Sequence, residues 1–132
     1  MDNMTIVCKN VGKTRFCGNV RGHEMYCDVP PARGGEDTAM LPPESLGAAL
    51  GNCLGMVIAL TCINKNIPYE GMEVTVTCTF EDNESRCDNF RCEVKMPEPL
   101  DDRQRKIVEA ACHMCKVGNT LTHGAKVEEV IL

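Results

Sequence analysis

Ten of the 132 residues are cysteines, so thiol chemistry is the first function to consider. A cysteine side chain can act as a nucleophile, form a disulfide or bind a soft metal ion. Small secreted domains use many cysteines as disulfides, but Met1–Lys9 lacks the basic and apolar regions of an export signal. We therefore expect a cytoplasmic protein whose thiols are mostly free. Four of them fall where strand alternation places core residues: Cys8, Cys27, Cys78 and Cys92.

Two of the cysteines, Cys112 and Cys115, have the Cys-x-x-Cys spacing of zinc ligands and of redox pairs. Histidine could complete the ligand set of a zinc site, from His113, His23 or His123. Redox pairs of the thioredoxin type gain acidity from a helix N-terminus, whereas this pair falls at the end of a predicted helix, where the helix dipole disfavours a thiolate. The residues alone leave both a metal site and a redox pair open.

The apolar pattern predicts one domain over residues 1–132, with strands and helices in a definite order. The predicted elements are strands at Thr5–Lys9, Thr14–Asn19 and Glu24–Val29, a loop at Pro30–Pro43, a helix at Glu44–Asn66, strands at Met72–Phe80 and Phe90–Met96, a helix at Asp101–Lys116 and a strand at Val127–Leu132. The two middle strands alternate apolar and polar residues, which is typical of antiparallel strands that cover a core. Asp101 is the predicted N-cap of the second helix and Gly118 its C-terminal stop.

The first predicted helix has no charged residue over Leu46–Asn64, which satisfies the length of a membrane span. Its glycines and Asn52, and the amphipathic strands around it, favour a core helix that sheets or another subunit enclose. Gly47, Gly51 and Gly55 recur every four residues and form one smooth ridge. Because glycine inside a helix costs about 1 kcal/mol relative to alanine, the ridge predicts a close neighbour, either the protein's own sheet or a helix of a second subunit.

Two segments carry a resemblance to a known family. Pro43–Cys53 reads PESLGAALGNC, and Ala111–Leu121 reads ACHMCKVGNTL. In this order and separation, after a loop with Gly34 and Gly35, they resemble the central-helix motif and the second cysteine motif of the OsmC/Ohr family, the osmotically induced and organic hydroperoxide resistance proteins. The resemblance covers nearly the whole chain.

The resemblance implies an α+β fold in which antiparallel sheets wrap around a long central helix, in an intertwined homodimer. It also implies a peroxidase that reduces organic peroxides, or hydrogen peroxide, without a cofactor. Cys53 would attack the peroxide and become a sulfenic acid, and Cys115 would resolve it to a disulfide. A dithiol of the dihydrolipoyl type would then reduce the pair. Only 4% of the residues are aromatic, which predicts an aliphatic pocket and mildly favours alkyl or lipid hydroperoxides.

The family activates its attacking cysteine with an arginine that a glutamate holds. Glu44 matches the glutamate, and Arg33 in the glycine-rich loop is our first choice for the arginine, with Arg21 and Arg15 open. Nine residues separate Glu44 from Cys53, about 13.5 Å of rise on a straight helix and half a turn out of phase. We therefore expect either that the arginine bridges this gap or that Glu44 serves the active cysteine of a partner chain.

Two departures from the family pattern bear on the function. Lys116 follows the second cysteine where the family usually has proline, and Cys112 lies one turn earlier and could take the resolving role. The alternatives to a peroxidase are a catalytically silent ligand-binding protein and a Cys/His metal-binding protein. Nucleic acid is not an expected partner, because the net charge is −5 and the basic residues cluster only at Arg103–Lys106.

Overall fold

The structure is a computed structural model that describes residues 1–132. Its elements are β1 (Val7–Asn10), β2 (Phe16–Val20), β3 (His23–Cys27), a 3-10 helix (Pro31–Arg33), α1 (Pro42–Lys65), β4 (Glu73–Phe80), β5 (Cys87–Lys95), α2 (Asp102–Cys112) and α3 (Lys116–His123). The chain forms two compact units, Met1–Leu46 and Gly47–Leu132. The predicted α+β class is confirmed, and the first three strands and the long helix lie within two residues of their predicted bounds.

The first unit contains an antiparallel sheet in the order β1-β2-β3. The loop that follows β3 is tied to the buried carboxylate of Asp28, which accepts hydrogen bonds from the hydroxyl groups of Thr14 at 2.7 Å and Thr38 at 2.8 Å. The backbone N–H groups of Val29, Glu36 and Thr38 also donate to it. These donors, that of Thr14 foremost, outweigh burial and hold the pKa of Asp28 well below its usual range, so the carboxylate stays charged and orders the loop.

Helix α1 begins with Pro42 and Pro43, which lack the N–H groups that a first turn leaves unpaired. It ends before Asn66, which adopts a left-handed backbone with φ of 55°, and Pro68 then prevents its continuation. Four of its residues lie one turn apart and are buried in the core of the second unit: Leu50, Leu54, Ile58 and Cys62. The helix is long and apolar enough to span a membrane, but this buried stripe identifies it as a core helix.

The glycine ridge of α1 packs against β4 of the same chain. A Cβ at Gly47 would lie 3.1 Å from Cys78 Sγ, and one at Gly51 would lie 3.0 Å from Val76 Cγ2. A Cβ at Gly55 would lie 3.6 Å from Val74 Cγ2, which is ordinary contact. Of the two predicted neighbours, the structure therefore shows the protein's own sheet.

Strands β4 and β5 form an antiparallel hairpin. Its register pairs Cys78 with Phe90 and Thr79 with Asn89, and then shifts so that Phe80 pairs with Cys87. This β-bulge lengthens β5 by three residues beyond the predicted start at Phe90.

The second predicted helix is two helices. Helix α2 begins with a capping box, in which Asp101 accepts from the Gln104 N–H and the Gln104 side chain accepts from the Asp101 N–H. It ends at Cys112, and α3 begins after Cys115, whose backbone is extended with ψ of 110°. The break occurs because the Cys115 thiol accepts from the Gly118 N–H at 3.3 Å and so caps a new helix. The prediction that Gly118 ends a helix is therefore wrong, and Gly124 ends α3 instead.

Two further predictions fail. Val127–Leu132 forms no strand, because this segment makes no ladder with another strand and Ile131 and Leu132 are fully exposed. Cys8 is exposed and not a core residue, because it lies on β1, an edge strand whose four residues are all exposed. Cys27, Cys78 and Cys92 are partly buried, as their strand positions predict.

Candidate active site

The structure brings together two of the predicted site residues, Cys53 and Cys115. Cys53 lies in the middle of α1 and is partly buried, whereas Cys115 caps α3 and is only 3% exposed. The first turn of α3 packs closely on α1, since a Cβ at Gly118 would lie 3.4 Å from Cys115 Sγ and 3.6 Å from Leu50 Cδ1. Each of the two thiols is close enough to shift the pKa of the other, and both are free.

The surroundings of Cys53 favour its thiolate. Burial opposes the charged form, but the Val117 backbone N–H, the Cys115 thiol, and both the backbone N–H and the ammonium group of Lys116 outweigh it. The pKa of Cys53 is therefore lowered from its ordinary value. Two of these donors are N–H groups of the first turn of α3, which have no partner within the helix. Cys53 thus lies where the positive end of a helix dipole stabilises an anion.

Cys115 has the opposite tendency. Burial raises the pKa of its thiol, the Gly118 N–H lowers it in part, and the neighbouring Cys53 sulfur raises it further. A raised pKa keeps the Cys115 thiol protonated. The sequence predicts the same state, but for another reason: it places Cys115 in the last turn of a helix, where the dipole disfavours a thiolate. That reason is wrong, because Cys115 caps the start of α3, and burial and the proximity of Cys53 keep the proton on it instead.

Sequence reasoning missed Lys116 and Val117 as part of this site. Lys116 was noted only as a departure from the family's proline, yet it is the first residue of α3 and supplies an N–H group and a positive charge to Cys53. Proline at this position would supply neither. The sequence does contain a signal for this role. Lys116 directly follows Cys115, so if Cys115 lies beside Cys53, the charge of Lys116 must also lie close to Cys53.

Cys112 makes different contacts from those of the Cys53–Cys115 pair. Its thiol donates to the carbonyl oxygen of Val108 at 3.3 Å, one turn back in α2. Burial raises its pKa, and Glu109 and Cys92 raise it further, whereas Cys53 is not among the groups that act on it. Cys115, and not Cys112, is therefore the neighbouring thiol of Cys53.

A cavity of about 480 Å³ lies next to this pair in the second unit. Its apolar walls include Leu50 and Leu54 of α1, Phe90 and Leu121, and its polar walls include Arg86, Asp88, Asn89 and Thr122; Cys115 also lines it. Three further cysteines also line it: Cys87, Cys92 and Cys112. The cavity leads to the Cys115 side of the pair, and its walls are about as polar as they are apolar, so the mainly aliphatic pocket that the sequence predicts is not what the structure shows.

The predicted arginine and glutamate belong to the first unit. Glu44 lies in the first turn of α1 and accepts from the Leu41 N–H at 2.8 Å, while Arg33 ends the 3-10 helix. Arg15 stacks over the Tyr26 ring at 4.4 Å, and its Nε is buried without a hydrogen-bond partner. Arg21 occupies the β2–β3 turn with φ of 52°. The role of an arginine in activating Cys53 stays a prediction.

A metal site has no support from the arrangement of the side chains. No group of three or more histidine, cysteine, aspartate or glutamate residues is placed to hold a metal ion. In particular, Cys112 and Cys115 lie on either side of the break between α2 and α3, and each makes its own backbone hydrogen bond.

Comparisons with known proteins agree with this fold. A family model for OsmC-like proteins matches residues 34–130, most of the chain, whereas a search of curated proteins finds no match. Among solved structures, a Psychrobacter arcticus protein named for osmotic stress and detoxification has a TM-score of 0.80 at 21% identity, over 91% of this chain and 90% of that one. An organic hydroperoxide resistance protein OsmC from Legionella pneumophila gives 0.62 at 17% identity, over 92% and 91%. An OsmC-like protein from Mycoplasma pneumoniae gives 0.70 at 16% identity, over 92% and 88%. The chain belongs to the family of OsmC-like proteins.

Proposed function

We propose that this protein is a cytoplasmic, cofactor-free thiol peroxidase that reduces organic hydroperoxides, or hydrogen peroxide, with Cys53 as the attacking cysteine. The observation that carries the proposal is the contrast within one neighbouring pair: Cys53 packs against the core cluster that contains Cys115, and the pKa of Cys53 is lowered while that of Cys115 is raised. A two-cysteine peroxidase needs such a pair, since the thiolate is the nucleophile and the second thiol must wait for the first to react.

In the first step the Cys53 thiolate attacks the terminal oxygen of the peroxide. The O–O bond breaks, the alcohol leaves with a proton, and Cys53 becomes a sulfenic acid. The N–H groups of Val117 and Lys116 hold the thiolate before the attack, and the Lys116 ammonium group adds positive charge beside it.

In the second step the Cys115 thiol attacks the Cys53 sulfur, water leaves, and a disulfide forms. Cys115 suits this step because it is a neighbour of Cys53 in the core of the second unit. The role of Cys112 as an alternative resolving residue is not favoured, since its thiol is bonded to Val108 O.

A dithiol reductant, of the dihydrolipoyl type in some members of the family, would restore the pair by thiol–disulfide exchange. The cavity beside Cys115 supports this step, because it reaches the Cys115 sulfur and its walls carry Leu50, Leu54 and Leu121.

We also propose a homodimer. One face of α1 carries large apolar residues that remain exposed: Leu46 at 41%, Met56 at 64%, Leu60 at 60% and Ile63 at 53%. Met56, Leu60 and Ile63 follow the i, i+4, i+7 spacing of one helix face. A second copy of the chain would cover them, and in the second version predicted from the sequence Glu44 of one chain would serve Cys53 of the other. Activity in a proven monomer would exclude that version.

Disulfide mapping tests the peroxidase directly. Reduced protein is treated with one equivalent of cumene hydroperoxide, and tryptic peptides are analysed by mass spectrometry. We expect a fast Cys53–Cys115 disulfide that is absent in Cys53→Ser. A Cys53–Cys112 bond would move the resolving role, and no preferential oxidation of Cys53 would refute the peroxidase and favour the silent ligand-binding alternative.

A further inference from the structure

The Cys112-x-x-Cys115 motif has only one of its two cysteines in the proposed reaction. Cys112 is the last residue of α2, His113 and Met114 form the turn that follows, and Cys115 caps α3. His113 keeps a right-handed helical backbone, with φ of −75° and ψ of −5°. Such a turn holds the Cα atoms of its first and fourth residues within about 7 Å, and a disulfide spans about 4.4–6.8 Å between Cα atoms. The backbone therefore keeps the two cysteines in the range of a disulfide.

The two cysteines of the motif differ in their access to a reductant. Cys115 is only 3% exposed, whereas Cys112 is partly exposed, and both line the cavity of the second unit. Cys53 does not line this cavity. A Cys53–Cys115 disulfide would thus present little sulfur surface to a reductant in the cavity, and thiol–disulfide exchange requires access to the sulfur that is attacked. A disulfide that includes Cys112 would present more.

We propose that Cys112 is a relay thiol, which converts the Cys53–Cys115 disulfide into a Cys112–Cys115 disulfide that the dithiol reductant then reduces. The inference rests on the proposed function for the first disulfide, which Cys115 forms with the Cys53 sulfenic acid. It gives Cys112 a step of its own after that resolution. It also returns Cys53 to its reactive form before any reductant is consumed.

The relay is a thiol–disulfide exchange and consumes no oxidant. The Cys112 thiol gives up its hydrogen bond to the Val108 carbonyl oxygen, loses its proton to water and attacks the Cys115 sulfur. The Cys53–Cys115 bond breaks, the Cys112–Cys115 bond forms, and Cys53 leaves with the electron pair as a thiolate. A dithiol then reduces the new bond by two further exchanges, beginning at the Cys112 sulfur, and itself becomes a cyclic disulfide.

The surroundings of the three sulfurs favour this direction of exchange. The thiol with the lower pKa is the better leaving group. Although burial opposes it, the N–H groups of α3 and the Lys116 charge lower the pKa of Cys53, whereas burial raises the pKa of Cys115 and of Cys112. Because a raised pKa leaves little Cys112 thiolate at neutral pH, the exchange should be slower than the resolution step and should accelerate as the pH rises.

The test maps disulfides by mass spectrometry after one equivalent of cumene hydroperoxide, with acid quenching at successive times. In the wild type we expect Cys53–Cys115 first, and then its loss as Cys112–Cys115 appears and the Cys53 thiol returns. A second equivalent, added with dimedone, should label Cys53 as a trapped sulfenic acid, because Cys115 is no longer free. Cys112→Ser should keep Cys53–Cys115 and take no label. Cys92→Ser removes another cysteine of the cavity wall and, as the matched control, should repeat the wild-type order of bonds.

Equilibration with a lipoamide–dihydrolipoamide mixture forms the protein disulfide without peroxide and keeps the test decisive. Cys112–Cys115 should be the main bond in the wild type and should still form in Cys53→Ser. A Cys53–Cys115 bond that persists in the wild type by both routes, or dimedone labelling of Cys53 in Cys112→Ser, would overturn the relay and leave the peroxidase site intact. No oxidation of Cys53 by peroxide, with Cys112–Cys115 the main bond in the mixture, would overturn the peroxidase and not the exchange.

Discussion

The cysteines near the start of α3 and those on the β4–β5 hairpin have the same side chain in different surroundings. Cys53 receives N–H groups from the first turn of α3 and a nearby lysine, and its pKa falls although it is partly buried. Cys78 and Cys92 are also partly buried, and because burial is the first cause acting on each thiol, their pKa values rise. The difference teaches that backbone donors and a nearby cation, and not the number or burial of the thiols, set which thiol has the lowered pKa; under the proposed function that thiol is the attacking one.

The largest effect should come from removing the attacking thiol. Cys53→Ser should lower peroxide turnover on the order of 10³-fold or more, because a hydroxyl group at this position cannot form a sulfenic acid. Turnover is measured with cumene hydroperoxide and dihydrolipoamide. Cys8→Ser, on the exposed strand β1, is the control and should keep the wild-type rate. An equal loss of peroxide turnover in Cys53→Ser and Cys8→Ser would show that the surroundings of Cys53 do not make it special among the cysteines.

The next effect concerns the donors of α3. Lys116→Pro keeps a residue that suits the first position of a helix but removes both the N–H and the charge. The pKa of Cys53 should rise, and its reaction at neutral pH should slow about tenfold for each unit of that rise. Lys116→Met keeps the N–H and should slow the reaction less. These rates come from single-turnover loss of the Cys53 thiol.

The two lysine variants also distinguish the activating groups. An unchanged rate in Lys116→Pro, with the fold intact by circular dichroism, would mean that an arginine such as Arg33, and not α3, activates Cys53. An equal loss in Lys116→Pro and Lys116→Met would assign the effect to the charge alone.

The smallest effect should arise at the hairpin cysteine. Gly47→Ala would put a Cβ 3.1 Å from Cys78 Sγ, whereas Gly55→Ala meets Val74 at 3.6 Å. Alanine gains about 1 kcal/mol of helix propensity at either position, but the first must also displace a packed thiol. We expect Gly47→Ala to be less stable than Gly55→Ala by about 1 kcal/mol in urea unfolding. Equal stabilities would show that Cys78 is loosely packed.

The sequence predicted much of this arrangement because the relevant signals are local. The alternation of apolar and polar residues predicted β4. The four-residue spacing of the glycines predicted a close neighbour along α1. The two motifs of the family resemblance pointed to Cys53 and Cys115. The bounds of β5 and the face of Cys87 could not be predicted, because a bulge depends on the register with the partner strand.

The remaining errors have a similar cause. Residues 101–116 have a helical pattern throughout, and only the hydrogen bond from the Gly118 N–H to the Cys115 thiol shows that a new helix begins there. The role of Lys116 depends on this break. Val127–Leu132 has the composition of a strand, but a strand also needs a partner, and none pairs with it in this chain.

The most direct test of the central claim is the alkylation rate of every cysteine from about pH 6 to about pH 10, with iodoacetamide and peptide mapping. Only the thiolate reacts, so each rate rises with pH through the pKa of that thiol. We predict that the Cys53 rate rises at lower pH than the rates of Cys78, Cys92 and Cys112, and that Lys116→Pro moves it upward. A Cys53 profile at or above those of the hairpin thiols would contradict the claim that α3 activates it.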